Sequence, residues 1–345
     1  MRITQNSMTR NYLKSMNSTL SNLSASSDKL TTGRSFTKIS EDVSSGINAL
    51  KTRQKLYKNQ QLQDNLKAAD EELAVTETNL MSIKEIADTI HERAIKVQND
   101  TNKGEYETFA TQFDSYNKEI MSLSNCQYND KYTLGGTSNG YDIPFTMENG
   151  KVCFNGVEVS TISKENGVFM TDGEKVPESD SVYMDIGLGL KFSEGELDTN
   201  TAFKVSVSGL DCLGFGTETR SVLNKDGTTT EYEFPNNMCE LISGMSDALR
   251  AGDMNKFAAY EMKFKEQTDN LVTNVSEIGV RTNFLDSNLQ RLDNEEALLT
   301  EKQGNLEGVE DTEELINYKS FEYSWMLTLQ YGSKVIPQSL MDFIR

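Results

Sequence analysis

Few residues in this sequence could take part in acid–base, nucleophilic or metal chemistry. His91 is the single histidine of the 345-residue chain. A zinc site built from imidazoles needs at least two histidines, and a nucleophile–histidine–acid triad needs an imidazole beside its nucleophile. His91 follows Ile90 within a strongly helical pattern, which favours a histidine on a helix surface. The sequence therefore predicts neither a histidine metal site nor a catalytic triad.

The other reactive side chains are equally scattered. The four cysteines are Cys126, Cys153, Cys212 and Cys239. They form no C-x-x-C pair, so a metal site or a disulfide framework is not indicated. Neighbouring carboxylates such as Glu71 and Glu72 point about 100° apart on a helix and do not converge on a substrate. Gly187-Leu188-Gly189 lacks the third glycine and the helix of a nucleotide-binding loop. We expect no enzyme, no cofactor and no catalytic residue.

Charge narrows the range of partners. The chain has 34 basic and 53 acidic residues, a formal net charge of −19, and no basic run. Binding to nucleic acid needs a basic surface, so a nucleic-acid partner is not expected. No stretch reaches the roughly 18–20 continuous apolar residues of a membrane span, and the first residues lack the apolar core of a signal peptide. We therefore predict a protein without membrane segments that leaves the cell, if at all, by another route.

Periodicity divides the chain into three parts. The first, about residues 1–130, is helical in pattern, with a turn at Gly33 and N-capping residue types at 40–42. Its strongest signal is a 3,4 spacing of apolar and small residues, which is typical of a coiled coil. The members of this seam are Leu62, Leu66, Ala69, Leu73, Thr76, Leu80, Ile83, Ala87, Ile90, Ala94 and Val97.

The middle and the end differ in character. Residues 135–235 alternate glycine turns, such as Asn155-Gly156, with short apolar runs, which predicts strands and hairpins. Helical spacing returns afterwards, with a helix expected to end near Gly252. A capping box at Asp311-Thr312-Glu313-Glu314 is expected to open the last helix. That helix is apolar on more than one face, which indicates burial on several sides, and in this chain neighbouring subunits are the expected source.

Two groups of short segments have the residue order of a known protein family. The segments near the start are Met1-Arg2-Ile3-Thr4, Leu30-Thr31-Thr32-Gly33-Arg34 and Ile39-Ser40-Glu41-Asp42. The more specific ones are 127–137, Pro144-Phe145, Phe154-Asn155-Gly156, Ile278-Gly279-Val280-Arg281, Val309-Glu310-Asp311 and 339–345. Together these segments resemble the bacterial flagellin family, and within it the hook-associated proteins of the hook–filament junction. One departure is Val43, which stands where the family usually has a proline after the serine–acid pair.

The resemblance implies a fold and a set of partners. The fold is mainly α, an elongated coiled-coil shaft formed by both chain ends with an inserted β-rich domain. The chain is expected to be exported without a cleaved signal peptide and to assemble outside the cell, at the hook–filament junction of the flagellum. Its implied partners are further copies of itself, the neighbouring hook-associated protein, flagellin, and a cytoplasmic export chaperone on the C-terminal helix. A minor flagellin and a non-flagellar type III secretion component remain alternatives.

These considerations predict a domain plan and two residue sets. The segments are 1–45 and 305–345 (axial, disordered in the monomer), 46–134 and 236–304 (helical shaft) and 135–235 (β-rich outer domain). The predicted axial or subunit-packing residues are Leu13, Met16, Leu20, Leu23, Leu30, Leu315, Trp325, Leu329, Ile336, Leu340 and Phe343. The predicted shaft core is Leu66, Leu73, Leu80, Ile83, Ile90, Phe109, Phe113, Tyr116, Phe264, Leu285 and Leu292.

Overall fold

The computed structural model describes residues 5–98, 104–137, 142–148, 150–177, 179–193, 196–198, 201–223 and 229–335. Two compact units divide the chain: one joins Met1–Gln60 with Asp293–Arg345, and the other is Gln61–Leu292. We call them the terminal unit and the central unit. Long helices occupy both ends of the chain, and short strands lie between them. The mainly α fold with a β-rich insert is therefore confirmed.

Within the described residues there are seven α-helices. They are α1 Gln5–Thr32, α2 Val43–Val97, α3 Tyr106–Ser124, α4 Gly209–Leu213, α5 Met238–Ala251, α6 Met254–Glu307 and α7 Asp311–Val335. Helices α2 and α6 contribute residues to both units. Their length follows from apolar spacing that continues without an internal proline, which would break the backbone hydrogen bonds.

The start of α2 agrees with the predicted cap. Asp42 Oδ1 accepts a hydrogen bond from the Ser45 N–H at 3.0 Å, the contact that an N-cap side chain makes. That backbone N–H lowers the pKa of Asp42. Val43 is the first helical residue. A proline is well tolerated at this position because its missing N–H has no partner within the helix, so valine and proline are both compatible with the same start.

The helical part of the central unit is built around the 3,4 seam of α2. From Leu66 to Val97 every residue of this seam is buried, while Leu62 is half-buried. Phe113 of α3 and Phe257 of α6 stack with ring centroids 6.2 Å apart. Asn117 Nδ2 of α3 also donates to the Cys239 carbonyl of α5 at 3.0 Å. Burying each large apolar side chain contributes about 1.5–3 kcal/mol, so this seam is a main source of the unit's stability.

Both ends of α5 are capped by residues of the expected types. The Asn237 side chain accepts a hydrogen bond from the Cys239 N–H at 3.0 Å. At the other end, Gly252 adopts φ 73°, in the left-handed region. Glycine is favoured there because it has no Cβ to clash with the backbone. The predicted helix end near Gly252 is confirmed.

The β-rich part consists of small antiparallel sheets. The strands are β1 Gln127–Tyr128, β2 Lys131–Tyr132, β3 Phe145–Glu148, β4 Lys151–Phe154, β5 Val157–Glu158, β6 Ser163–Glu165, β7 Val168–Thr171, β8 Glu174–Lys175, β9 Tyr183–Met184, β10 Phe192–Ser193, β11 Glu196–Leu197, β12 Phe203–Lys204, β13 Thr217–Leu223 and β14 Thr229–Pro235. A 3₁₀ turn follows β5 at Val159–Thr161. Strands β3-β4-β5 and β6-β7-β8 form three-stranded sheets, and the pairs β1-β2, β9-β12, β10-β11 and β13-β14 are two-stranded.

Turn chemistry and a shared core hold this region together. Asn155 and Gly156 have φ 49° and 80°, as a tight hairpin turn between β4 and β5 requires. Phe145 and Phe154 pack with centroids 5.0 Å apart. These rings belong to a continuous cluster of buried apolar residues that also contains the α2 seam. The β-rich residues therefore share their core with the helices of the central unit.

Candidate assembly interface at the terminal helices

Helices α1 and α7 pack on each other in the terminal unit. The Tyr12 hydroxyl donates to the Thr328 carbonyl at 3.0 Å. Ser26 Oγ donates to Glu314 Oε1 at 2.6 Å, and both residues are buried. Gly332 gives the Tyr12 ring its space, because a methyl group added at Gly332 would lie 2.1 Å from the phenol oxygen. These polar contacts set the register of the two helices.

Large apolar side chains remain on the outside of this helix pair. Leu13, Leu20, Leu315 and Leu329 are 43%, 45%, 51% and 49% exposed. The other predicted axial residues that the structure describes are half-buried, and they are Met16, Leu23, Leu30 and Trp325. Ile336, Leu340 and Phe343 lie outside the described residues.

Further exposed apolar residues accompany the predicted set. They are Met8, Ile316, Tyr323, Met326, Leu327 and Tyr331. A groove lined by Met8, Tyr12, Ser15, Leu327 and Tyr331, among others, runs between α1 and α7 and has a volume of about 470 Å³. Most of these exposed apolar residues lie on α7, whose sequence is apolar on more than one face. The polar contacts of Tyr12, Ser26 and Glu314 were not predicted, because apolar spacing carries no signal for them.

The predicted start of the last helix is confirmed, whereas its cap differs from the predicted capping box. Helix α7 begins at Asp311, and the Glu314 N–H donates to the Glu310 carbonyl at 2.9 Å, so Glu310 occupies the cap position. The Glu314 carboxylate accepts from Ser26. A partner on a distant helix has therefore replaced the local one that the four-residue pattern suggested.

A second set of contacts joins the turn after α1 to the end of α6. The Ser35 N–H donates to the Glu307 carbonyl at 2.8 Å, and the Val309 N–H donates to the Gly33 carbonyl at 3.1 Å. The Glu307 carboxylate, which is buried, forms a hydrogen-bonded ion pair with Arg53 of α2. That hydrogen bond lowers the pKa of Glu307. This set of contacts, centred on Glu307, ties three chain segments together.

The residues predicted for the shaft core lie in the central unit. Those buried there are Leu66, Leu73, Leu80, Ile83, Ile90, Phe109, Phe113, Phe264, Leu285 and Leu292. Tyr116 is half-buried and packs against the same cluster.

The histidine and the cysteines, whose side chains could react or bind a metal, do not come together in the described part of the chain. There, no group of three or more His, Cys, Asp or Glu side chains could hold a metal ion. His91 Nδ1 lies 2.7 Å from Glu261 Oε1, but the pair is not aligned as a hydrogen bond. Burial raises the pKa of Cys212 and of Cys239 to about 12, so both are neutral thiols.

One short segment of the sequence matches a hydrolase motif. Gly136–Gly140 reads G-x-S-x-G, which in hydrolases places a serine on a sharp turn between a strand and a helix. In the part of the chain that the structure describes, the next element is the strand β3. Ser138 itself lies outside the described residues. The described elements on either side of the motif are both strands, whereas the hydrolase motif needs a helix after its serine.

No helix in the described ranges combines the length and the apolar character that crossing a bilayer demands.

Comparison with known proteins supports a flagellar relationship. Residues 3–139 match the bacterial flagellin N-terminal helical region. A Vibrio parahaemolyticus protein described as a flagellar hook-associated protein has the same fold with TM-score 0.55 and 16% identity, covering 78% of this chain and 100% of its own. Bacillus cereus FlgL gives TM-score 0.49 and 16% identity over 74% and 99%. Legionella pneumophila hook-associated protein 3 gives 0.48 and 11% over 74% and 98%. No curated protein sequence matches the chain. Over residues 3–139, the chain is therefore similar to the N-terminal helical region of bacterial flagellins.

Proposed function

We propose that this chain is a structural subunit of the bacterial flagellum that joins the hook to the filament and performs no catalysis. The observation that carries the proposal is the apolar outer surface of the α1–α7 pair, in a chain whose residues 3–139 match the flagellin N-terminal helical region. The name of the Vibrio structure, a hook-associated protein, favours the junction over other flagellar positions.

The energetics favour assembly through the terminal helices. Leu20, Leu315 and Leu329 are about half exposed in the single chain. Transfer of such side chains into a protein interior is worth about 1.5–3 kcal/mol each when burial is complete. Single helices of this kind are marginal in water, so residues 1–45 and 305–345 are proposed to order when subunits pack. Residues 46–134 and 236–304 would supply the stable helical shaft.

The partners follow from this role. Copies of the same chain would pack through α1 and α7, with another hook-associated protein on one side and flagellin on the other. The site of action is outside the cell, at the hook–filament junction. In the cytoplasm before export, a chaperone would cover the apolar surface of α7, since an exposed apolar surface invites aggregation.

A minor flagellin is the second candidate. The family model that matches residues 3–139 describes flagellin itself, and this region does not separate a junction subunit from a filament subunit. The two candidates differ in what happens to the filament when the chain is absent.

Deletion of the gene tests the proposal directly. We expect intact hooks without filaments, and monomeric flagellin in the medium, because filament subunits would have no attachment site at the end of the hook. Complementation with the full-length gene should restore filaments and serves as the control. Normal filaments on the deletion strain would overturn the junction role and favour a minor flagellin. Both structures can be scored by electron microscopy of negatively stained cells.

A further inference from the structure

Three cationic side chains converge on one cavity of the central unit. Lys164 of β6, Lys204 of β12 and Arg281 of α6 line a space of about 300 Å³. Two carboxylates, Asp211 and Glu277, also line it. In a chain with net charge −19, a cavity with more positive than negative groups contrasts with the rest of the molecule.

The carboxylates neutralise only two of the three cations. Lys164 Nζ lies 2.5 Å from Asp211 Oδ1, and Arg281 forms an ion pair with Glu277. In the part of the chain that the structure describes, the Lys204 ammonium group has no hydrogen bond and no ion pair of its own. Three positive and two negative groups leave a formal charge of +1 on the lining, centred on Lys204.

Lys204 is in an unfavourable place for an unpaired ammonium group. Burial is the largest cause that lowers its pKa, and the neighbouring charge of Arg281 adds to the effect. The Arg281 side chain is itself only 20% exposed, so little water separates it from its surroundings. Cations that converge in a partly buried space cost free energy, and an anion between them would offset this cost.

The uncharged groups around the cavity are compatible with an anion. Ser206 Oγ accepts a hydrogen bond from the Val182 N–H at 2.8 Å, which leaves its own O–H able to donate. Ser208 contributes a second hydroxyl to the lining. Cys212 is a neutral thiol, because burial raises its pKa to about 12, and it adds no negative charge.

We propose that this cavity binds a small tetrahedral oxyanion, phosphate or sulfate, held by Lys204 Nζ and the Arg281 guanidinium. Guanidinium and ammonium groups form charge-assisted hydrogen bonds with such oxygens, which are stronger than neutral ones. The cavity joins β6, β12, α4 and α6, so a bound anion would connect the β-rich residues to the long helix α6. This role is independent of the proposed place in the flagellum.

Calorimetric titration of the full-length chain with sodium phosphate tests the site, with ionic strength held constant by sodium chloride. We expect saturable binding to the natural sequence and at least tenfold weaker binding to Lys204→Gln. Lys265→Gln, an exposed lysine of α6 outside the cavity, removes the same charge and should bind as the natural sequence does. Sulfate should compete with phosphate. Without phosphate, Lys204→Gln should be at least as heat-stable as the natural chain.

Two results would overturn the proposal. One is the absence of saturable heat in the natural chain. The other is an equal phosphate-dependent rise in melting temperature for the natural chain and for Lys204→Gln, which would mean a general salt effect. Lys204→Met, which keeps the apolar stem of the side chain, replaces Lys204→Gln in the same comparison if that variant does not fold.

Discussion

Ser26 Oγ donates a hydrogen bond of 2.6 Å to Glu314 Oε1 and thereby joins two helices that are 288 residues apart in sequence. Both side chains are almost fully buried. A buried carboxylate that lacks a hydrogen-bond donor destabilises the folded chain. This contact therefore fixes how α1 and α7 pack on each other.

Ser26→Ala should weaken the α1–α7 pair by about 1–3 kcal/mol, because it leaves the Glu314 carboxylate buried without a donor. If this pair is the assembly surface, the protein concentration needed for self-association should rise by roughly tenfold. Sedimentation velocity over a concentration series measures it. Ser24→Ala, on the exposed side of α1, is the matched control. Identical association of the natural chain and Ser26→Ala would argue against this role.

Leu329→Glu should stop assembly while leaving the folded chain intact. Leu329 is 49% exposed, so a charge there changes the stability of the single chain by roughly 0.5 kcal/mol or less, whereas in a subunit interface it would be buried without a partner. Failure of Leu329→Glu to restore filaments to the deletion strain is the expected result, together with a melting curve close to that of the natural chain.

Val280→Glu is the control for this experiment, since Val280 is 68% exposed on α6 in the central unit. It should restore filaments. If Leu329→Glu restores them equally well, α7 does not pack in the assembly at that position.

The terminal unit should lose stability in acid through Glu307. The hydrogen bond from Arg53 lowers the pKa of Glu307 in the folded chain below its ordinary value of 4.5. Its contribution is therefore present above the ordinary pKa and is lost as the pH falls through the lowered one. Scanning calorimetry of the assembled protein, in which the terminal segments would be ordered, at about pH 6 and about pH 3 should show a smaller acid-induced drop in melting temperature for Glu307→Gln than for the natural chain.

Glu301→Gln removes an exposed carboxylate from the same helix and should behave like the natural chain. A Glu307→Gln variant that is as acid-sensitive as the natural chain would mean that the Arg53 pair contributes nothing to this pH dependence.

Gly244→Ala should destabilise the central unit by about 1–3 kcal/mol. A methyl group at Gly244 would lie 2.1 Å from Tyr260 Cε1, so the Tyr260 ring or the helix that carries it would have to shift. Gly279→Ala is the control, because only Glu77 Oε1 lies near its added methyl group, at 4.0 Å. That variant should be unchanged or more stable by up to about 1 kcal/mol, since alanine favours the helix. Urea unfolding distinguishes the two, and equal midpoints would refute the packing argument.

The helices and most turns follow from local rules. The 3,4 seam from Leu66 to Val97, the cap at Asp42 and the end at Gly252 depend on residues within a few positions of each other, so the sequence alone predicts them. The apolar faces of α7 were equally visible, which is why a subunit interface could be expected there. The family resemblance rests on short segments that are likewise readable without a structure.

Other features depend on residues that are far apart in the chain, and only the tertiary structure decided them. The pattern at 311–314 predicted a local partner for Glu314, but the Glu314 carboxylate accepts its hydrogen bond from Ser26 of another helix. In the same way, Lys164, Lys204 and Arg281 share a cavity although about 40 to 80 residues separate neighbours among them in sequence. Side-chain spacing reports which face of a helix is apolar, because that face repeats along the chain. It carries no information on which polar groups contact each other across the fold, because those contacts depend on how the helices and strands pack.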